Sequence, residues 1–232
     1  MSTLPRARWW WGFALYAGIA LLHIGALALG ARDAAAATKL LLMPLLALAV
    51  LWAGRGSRWG TTYTVLFLAL AFSWLGDGAA TFFPTAPELP VMLLCFGLAH
   101  VCYIWLFWRV LAVRPLPLWS ALYGCWWIGL LLVLWPTLEA LLIPVALYGL
   151  VLAGTAAAAS RCHPLIAWGG ALFLASDTLL AFRLFTPEAM PGWTSPLVML
   201  TYCLGQGLLA AGVVVADRLR DASERHRAVE AA

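Results

Sequence analysis

Charge is what this chain is short of. Only 10% of its residues are Asp, Glu, Lys or Arg, where soluble globular domains carry about 25%. That scarcity excludes a water-exposed surface of ordinary composition. With hydrophobic residues at 64% and a mean hydropathy of +0.92, it points to lipid as the solvent. Histidine is scarce too, at 4, and no HExxH occurs, which removes the helical zinc-protease pattern. No GxSxG is present, so the serine nucleophile of the strand–turn–helix elbow has no place. The 5 cysteines (Cys95, Cys102, Cys125, Cys162, Cys203) are odd in number and match no zinc spacing. They read as small buried hydrophobes rather than as a redox or metal site. No polar stretch is long enough to form a soluble domain.

What is present is a series of long apolar runs. The pattern predicts an all-α polytopic membrane protein with eight transmembrane helices at 9–30, 38–53, 60–83, 90–113, 118–135, 138–159, 162–185 and 194–216. These form a single domain over 1–216, followed by a polar, frayed cytoplasmic tail over 217–232. The second helix is short and kinked near Pro44. The first, with its basic flank and its end in ALALGARDAAAA, resembles a signal peptide, but its apolar run is too long for one and it reads as retained. Loops such as TAPELP, RPLP, WPT and TPEAMPGW are short turn signals, so consecutive helices should be antiparallel neighbours. The 14 tryptophans suit interfacial anchors.

Basic residues set the orientation. With the N-terminus inside, all but three of the 14 Lys and Arg fall in inner segments: Arg6, Arg8, Arg55, Arg58, Arg109, Arg114, Arg161, Arg218, Arg220, Arg225 and Arg227. The positive-inside bias therefore places both termini in the cytoplasm. The basic tail RLRDASERHR follows a span directly, which suits anionic membrane lipids and not nucleic acid.

Two aspartates lie inside these runs, Asp77 in FSWLGDGAATFF and Asp177 in GALFLASDTLLAF. A carboxylate at membrane depth costs at least about 2.5–3.5 kcal/mol and usually faces a cavity or a partner. Both helices run outward, and at 1.5 Å per residue each acid sits roughly 9–12 Å below the outer helix end. Near that layer fall Ser73, one turn before Asp77, then His100 and Tyr103, Ser176, and Tyr202 with Gln206; His23 is at comparable depth. Gly76 and Gly78 leave space around Asp77 for a close helix or a substrate, and Gly169, Gly170 and Ala171 suit close packing. The outer basic residues Arg32, Lys39 and Arg183 lie above the acids, where they suit a phosphate headgroup, Lys39 and Arg183 foremost.

Two carboxylates in one apolar pocket do not ionise alike, and such a pair supplies a general acid and a general base. That chemistry fits cleavage through an oxocarbenium-like state, performed on an amphiphile by a membrane-embedded hydrolase. A lipid or ion transporter that uses the aspartates as a proton or ligand site is the competing class. A metal-dependent lipid amidase is a second rival, although a metal site from His23, His100, Asp77 and Asp177 has no diagnostic spacing.

The ordered segments Lys39, FSWLGD, GLAHVCY, GALFLASDTLLAF and TYCLGQGL resemble those of the YhhN-like lysoplasmalogenases. The resemblance implies an eight-helix membrane enzyme, in the inner membrane where the host is a bacterium. It implies a lysophospholipid substrate whose vinyl ether bond is hydrolysed to a fatty aldehyde and glycerophosphoethanolamine or glycerophosphocholine. It also implies that Asp77 and Asp177 are the catalytic pair and that no metal or organic cofactor is needed. Lys39, Ser73, His100, Tyr103, Ser176, Arg183, Tyr202 and Gln206 are the candidate substrate-binding residues. Asp177 is assigned as the acid and Asp77 as the base, an order the residues leave open.

Overall fold

A computed structural model describes residues 9–57 and 59–230, without the side chains of Arg225 and Val229. Among the basic residues that carry the topology argument, Arg6, Arg8 and Arg58 lie outside the described residues, as does the Arg225 side chain. All regular structure among the described residues is helical. A 3-10 turn, Trp9–Phe13, leads into α1 (Ala14–Ala28), followed by α2 (Arg32–Ala53), α3 (Thr61–Asp77) and the single turn α4 (Ala79–Phe82). Next come α5 (Glu88–Trp105), which ends in a π turn over Leu106–Val110, then α6 (Ala121–Leu138) and α7 (Leu142–Ala159). The chain finishes with α8 (Pro164–Phe185) and α9 (Thr194–Glu230).

Among the described residues, six helical segments are long and apolar enough to cross a membrane. One of them, Leu118–Ala159, is 42 residues of continuous apolar helix by composition. At 1.5 Å per residue that is roughly twice the hydrocarbon thickness. The chain solves this by turning back at Glu139, which has φ +43°, so that α6 and α7 form a hairpin. Trp127 Nε1 donates to Ala146 O at 2.9 Å across that hairpin. The outer surface carries Leu21, Leu22, Leu132, Val133, Trp135 and Leu147 well exposed, an apolar exterior that suits lipid contact.

Four boundaries differ from the sequence expectation. First, α2 begins at Arg32 rather than 38, because the alanine run that resembles a cleavage site is strong helix former. Gly30, at φ +70°, makes the tight turn from α1, with Ala31 N–H donating to Ala26 O at 2.8 Å. Lys39 therefore lies within α2, two turns from its start. Second, the helix expected over 60–83 stops at Asp77; Gly78 interrupts it before α4. Third, the turn expected at WPT comes later, at Glu139–Leu141. Fourth, the described part of the tail is helical rather than frayed: α9 continues in one helix to Glu230, because its helix-forming residues extend a helix already nucleated by the apolar part. Arg218 donates to Ala53 O, and Arg220 Nη1 donates to Val110 O at 2.8 Å, so the start of the tail is tied to α2 and to the end of α5.

Between helices in lipid, apolar burial supplies little drive, and close packing and hydrogen bonds take over. The tightest pairing is α8 with α9. A Cβ added at Gly169 would lie 2.7 Å from Leu209 N, and one added at Gly205 would lie 2.9 Å from Phe173 N. The two backbones touch because these positions have no side chain. Helix α1 joins the bundle through Tyr16, whose hydroxyl donates to Cys203 O at 2.7 Å. Of the cysteines, Cys95, Cys162 and Cys203 are buried, Cys102 is half-buried, and Cys125 departs from expectation by facing outward.

Gly205→Leu should force α8 and α9 apart at a cost of about 1–3 kcal/mol. Thermal unfolding in detergent should show a clear fall in Tm. Gly97→Ala, where nothing lies within 4 Å of the added carbon, should leave Tm unchanged.

Candidate active site

Asp77 is the last residue of α3. The C-terminal end of a helix carries partial negative charge, so this is a poor place for a carboxylate without partners. Two partners are supplied. Lys39 Nζ from α2 lies 3.7 Å from Asp77 Oδ1, and Tyr202 from α9 donates to Asp77 Oδ2 at 2.7 Å. The Asp77 side chain is 3% exposed and that of Lys39 is 36% exposed, so the ammonium reaches both the acid and the outside. Trp74, one turn before Asp77, donates its Nε1 hydrogen to Leu40 O at 2.9 Å. That bond fixes α3 against α2 next to the ion pair.

Asp177 sits two turns before the end of α8. Its Oδ2 accepts a hydrogen bond from Tyr148 of α7. Among the described residues no Lys or Arg lies within 4.0 Å of it. The same Tyr148 oxygen is 3.4 Å from His100 Nε2, and His100 Nδ1 is 3.1 Å from Thr155 Oγ1.

Both carboxylates line one cavity, which is partly open to the outside. Its polar lining is Lys39, Asp77, Tyr148, Ser176, Asp177 and Tyr202. The remaining wall is apolar and comes from α5 to α9, including Leu93, Phe96, Trp127, Leu130, Leu131 and Leu180. Helix α6 is held to the rest here by Trp126, whose Nε1–H donates to Thr178 Oγ1 of α8 at 3.1 Å. An apolar cavity with a few polar groups suits an amphiphile.

Other sequence candidates are placed elsewhere. Ser73, Tyr103 and Gln206 are fully buried and form their own chain: Tyr103 donates to Gln206 Oε1 at 2.7 Å, and Gln206 Nε2 donates to Ser73 Oγ at 3.0 Å. That chain locks α3, α5 and α9 together one turn away from Asp77 and Tyr202. His100 lies behind Tyr148 rather than on the cavity wall. Ser176 lines the cavity, but its hydroxyl donates to Val198 O at 2.9 Å. Arg183 bonds Pro191 O and the Thr194 hydroxyl, which pins the loop between α8 and α9. His23 pairs with Thr38 at 3.0 Å, between α1 and α2. The glycines around Asp77 admit protein rather than ligand: a Cβ at Gly76 would meet the Phe96 ring at 2.7 Å, and one at Gly78 the Phe82 ring at 2.4 Å. Among the described residues, no three His, Cys, Asp or Glu side chains are grouped closely enough to hold a metal ion.

Tyr148, the partner of Asp177, was not singled out from the sequence. A signal was present: Tyr148 and Thr155 are seven residues apart, on one face of an otherwise apolar helix. Trp126 and Trp127 were also missed, since tryptophan reads as an interfacial anchor.

The fold and the site define an all-helical protein of the integral-membrane kind, with two carboxylates on a common apolar cavity. The chain belongs to the YhhN family, whose sequence profile matches residues 34–213. Neither the curated proteins nor the solved structures offer a match to it.

Gln206→Leu should leave the Tyr103 hydroxyl buried without its acceptor and cost about 1–3 kcal/mol of stability. A lowered Tm in detergent checks this. Gln206→Glu, which keeps an acceptor for Tyr103, should lose less.

Proposed function

We propose that this chain is a membrane-embedded hydrolase that cleaves the vinyl ether bond of lysoplasmalogens. The products are a fatty aldehyde and glycerophosphoethanolamine or glycerophosphocholine. In this reading α1, α2, α3, α5, α6, α7, α8 and α9 make eight crossings of a bacterial inner membrane, with both termini in the cytoplasm. The observation that carries the reading is the shared cavity: two carboxylates of unlike surroundings open onto one apolar channel. A protein that only needed to bind a lipid chain would have no use for two acids there.

The surroundings support a division of labour. Asp77 has an ammonium and a phenol against it, both of which favour its charged form. Asp177 has a hydroxyl partner and no cation near it among the described residues. Asp177 is therefore the acid and Asp77 the base. Asp177 gives its proton to the alkenyl carbon one bond removed from the ether-bearing carbon, and an oxocarbenium ion forms. Asp77 takes a proton from a water molecule as that water adds to the ether-bearing carbon. The hemiacetal then collapses: its hydroxyl proton goes to Asp177, and the proton on Asp77 goes to the departing glyceryl oxygen. Both groups return to their starting states.

The chain of the lipid lies along Leu130, Leu131 and Leu180, with the headgroup toward the exposed face of Lys39. Arg183 is already committed to its own loop, so Lys39 is the cation left for the phosphate of the two foremost candidates.

The test is free aldehyde released by purified protein from a lysoplasmalogen. Wild type should release it, and a saturated ether analogue should be left intact. Asp77→Asn and Asp177→Asn should each lower the rate about 10²–10⁴-fold, the usual contribution of a positioned acid or base, while Tm stays near wild type. Lys39→Met should lower kcat as well as raise KM, because it strips Asp77 of its counterion. Normal turnover by either Asp→Asn variant would sink the paired mechanism. Proton-coupled lipid movement without aldehyde would favour a transporter.

A further inference from the structure

His100 has no role in the mechanism above, yet it is completely buried and its ring is wedged against Phe173 with centroids 4.7 Å apart. An imidazole in such surroundings needs partners for both nitrogens, and those partners define its state. Thr155 has one hydroxyl proton. Its oxygen lies 2.9 Å from Val151 O, the carbonyl one turn earlier, and that bond takes the proton. The Thr155 oxygen is then free to accept from His100 Nδ1–H at 3.1 Å. This assigns the tautomer from the hydrogen-bond network and leaves Nε2 with a lone pair. That lone pair faces Tyr148 Oη at 3.4 Å.

Tyr148 therefore has one proton and two acceptors, Asp177 Oδ2 and His100 Nε2. We infer that Tyr148 and His100 are positioning residues that hold and release the proton of Asp177, with the Tyr148 hydroxyl turning between the imidazole and the carboxylate. The inference rests on the hydrolase reading, and it deepens the account of the same site.

The two arrangements follow from counting donors. With Asp177 protonated, its O–H donates to Tyr148 Oη, and Tyr148 donates to His100 Nε2. Every hydrogen then has an acceptor. When Asp177 has given its proton to the substrate, the carboxylate needs a donor, and the Tyr148 O–H turns to it. His100 Nε2 is left with a bare lone pair, which a buried acceptor tolerates better than a buried carboxylate tolerates losing its donor. No proton leaves the tyrosine or the histidine in either step; one hydroxyl rotates. The geometry also explains why His100 sits off the cavity wall. Its task is to be an acceptor for Tyr148 and not for the lipid. Thr155 holds the ring in the orientation that makes this possible.

Asp77 has no such arrangement. Its phenol, Tyr202, lies among Phe96 and Phe173 with no imidazole behind it. That difference fits a residue that starts as the carboxylate and needs a standing donor.

Two measurements test the inference. The first needs no substrate. Infrared spectra of the purified protein should contain a carboxylic acid C=O band that is lost in Asp177→Asn. Tyr148→Phe and His100→Leu should each move that band, because each breaks the chain that the acid donates into. The second is kinetic. His100→Leu should lower kcat for aldehyde release about tenfold, the order expected for one buried hydrogen bond, with KM unchanged because His100 does not line the cavity. His100→Gln, whose amide oxygen can accept from Tyr148, should recover most of that loss. A band that stays in place in both Tyr148→Phe and His100→Leu overturns the inference, as does the absence of any band lost in Asp177→Asn. Equal kcat in His100→Gln and His100→Leu also overturns it, since that outcome marks a packing role. A wild type that releases no aldehyde would defeat the hydrolase reading itself, and the band comparison would still decide the hydrogen-bond chain.

Discussion

A carboxylate enclosed by apolar side chains has to be met by donors or by a cation, and much of this bundle is arranged around two such demands. Asp77 is answered by Lys39 and Tyr202, which come from α2 and α9. Asp177 is answered by Tyr148 from α7. Three helices are thus drawn to two acids on two others, and these side chains define one wall of the cavity. The rest of the cavity is apolar, so the acids gain no help from solvent-like surroundings. The strength of their interactions with a bound molecule rises for the same reason.

The close packing of α8 on α9 serves that arrangement. Gly169 and Gly205 bring the two backbones into contact, which places Asp177 and Tyr202 on neighbouring helices facing the same space. The buried chain of Tyr103, Gln206 and Ser73 holds α3 and α9 one turn from the Asp77–Tyr202 bond. In lipid, where apolar contact hardly favours one helix pairing over another, such polar chains select the register. They are the scaffold of the site rather than its surface.

The sequence made some of this legible. Asp77 and Asp177 stand out because charge in an apolar run is expensive, Tyr202 because it falls near their depth, and Lys39 because it is a basic residue at an outer helix end. The all-helical architecture and its long apolar helices follow from run length and turn residues. Other features depend on facts that periodicity does not carry. The apolar pattern runs straight through GDGAATFF, so the end of α3 at Asp77 is invisible until Gly78 is seen to break it. The alanines after Gly30 look like a cleavage site, yet their helix propensity makes them the first turns of α2. Tyr148 resembles a packing residue because its significance lies in the rotation of α7 toward α8. Arg183 looks free for a phosphate because nothing local reveals that the chain after it folds back onto its guanidinium.

Lys39 lies 3.7 Å from Asp77 on one side and is open to the outside on the other. The proposed hydrolysis requires the two carboxylates to flank a single bond of a lipid in the cavity. The most direct measurement is an experimental structure of the protein bound to a saturated 1-O-alkyl lysophospholipid, which has the ether oxygen but no vinyl bond to cleave. The account predicts the ether oxygen between Asp77 and Asp177, the chain along Leu130, Leu131 and Leu180, and the phosphate at Lys39. Lipid seated only on the outer surface of the bundle, or in the cavity with its ether oxygen remote from both acids, would contradict it.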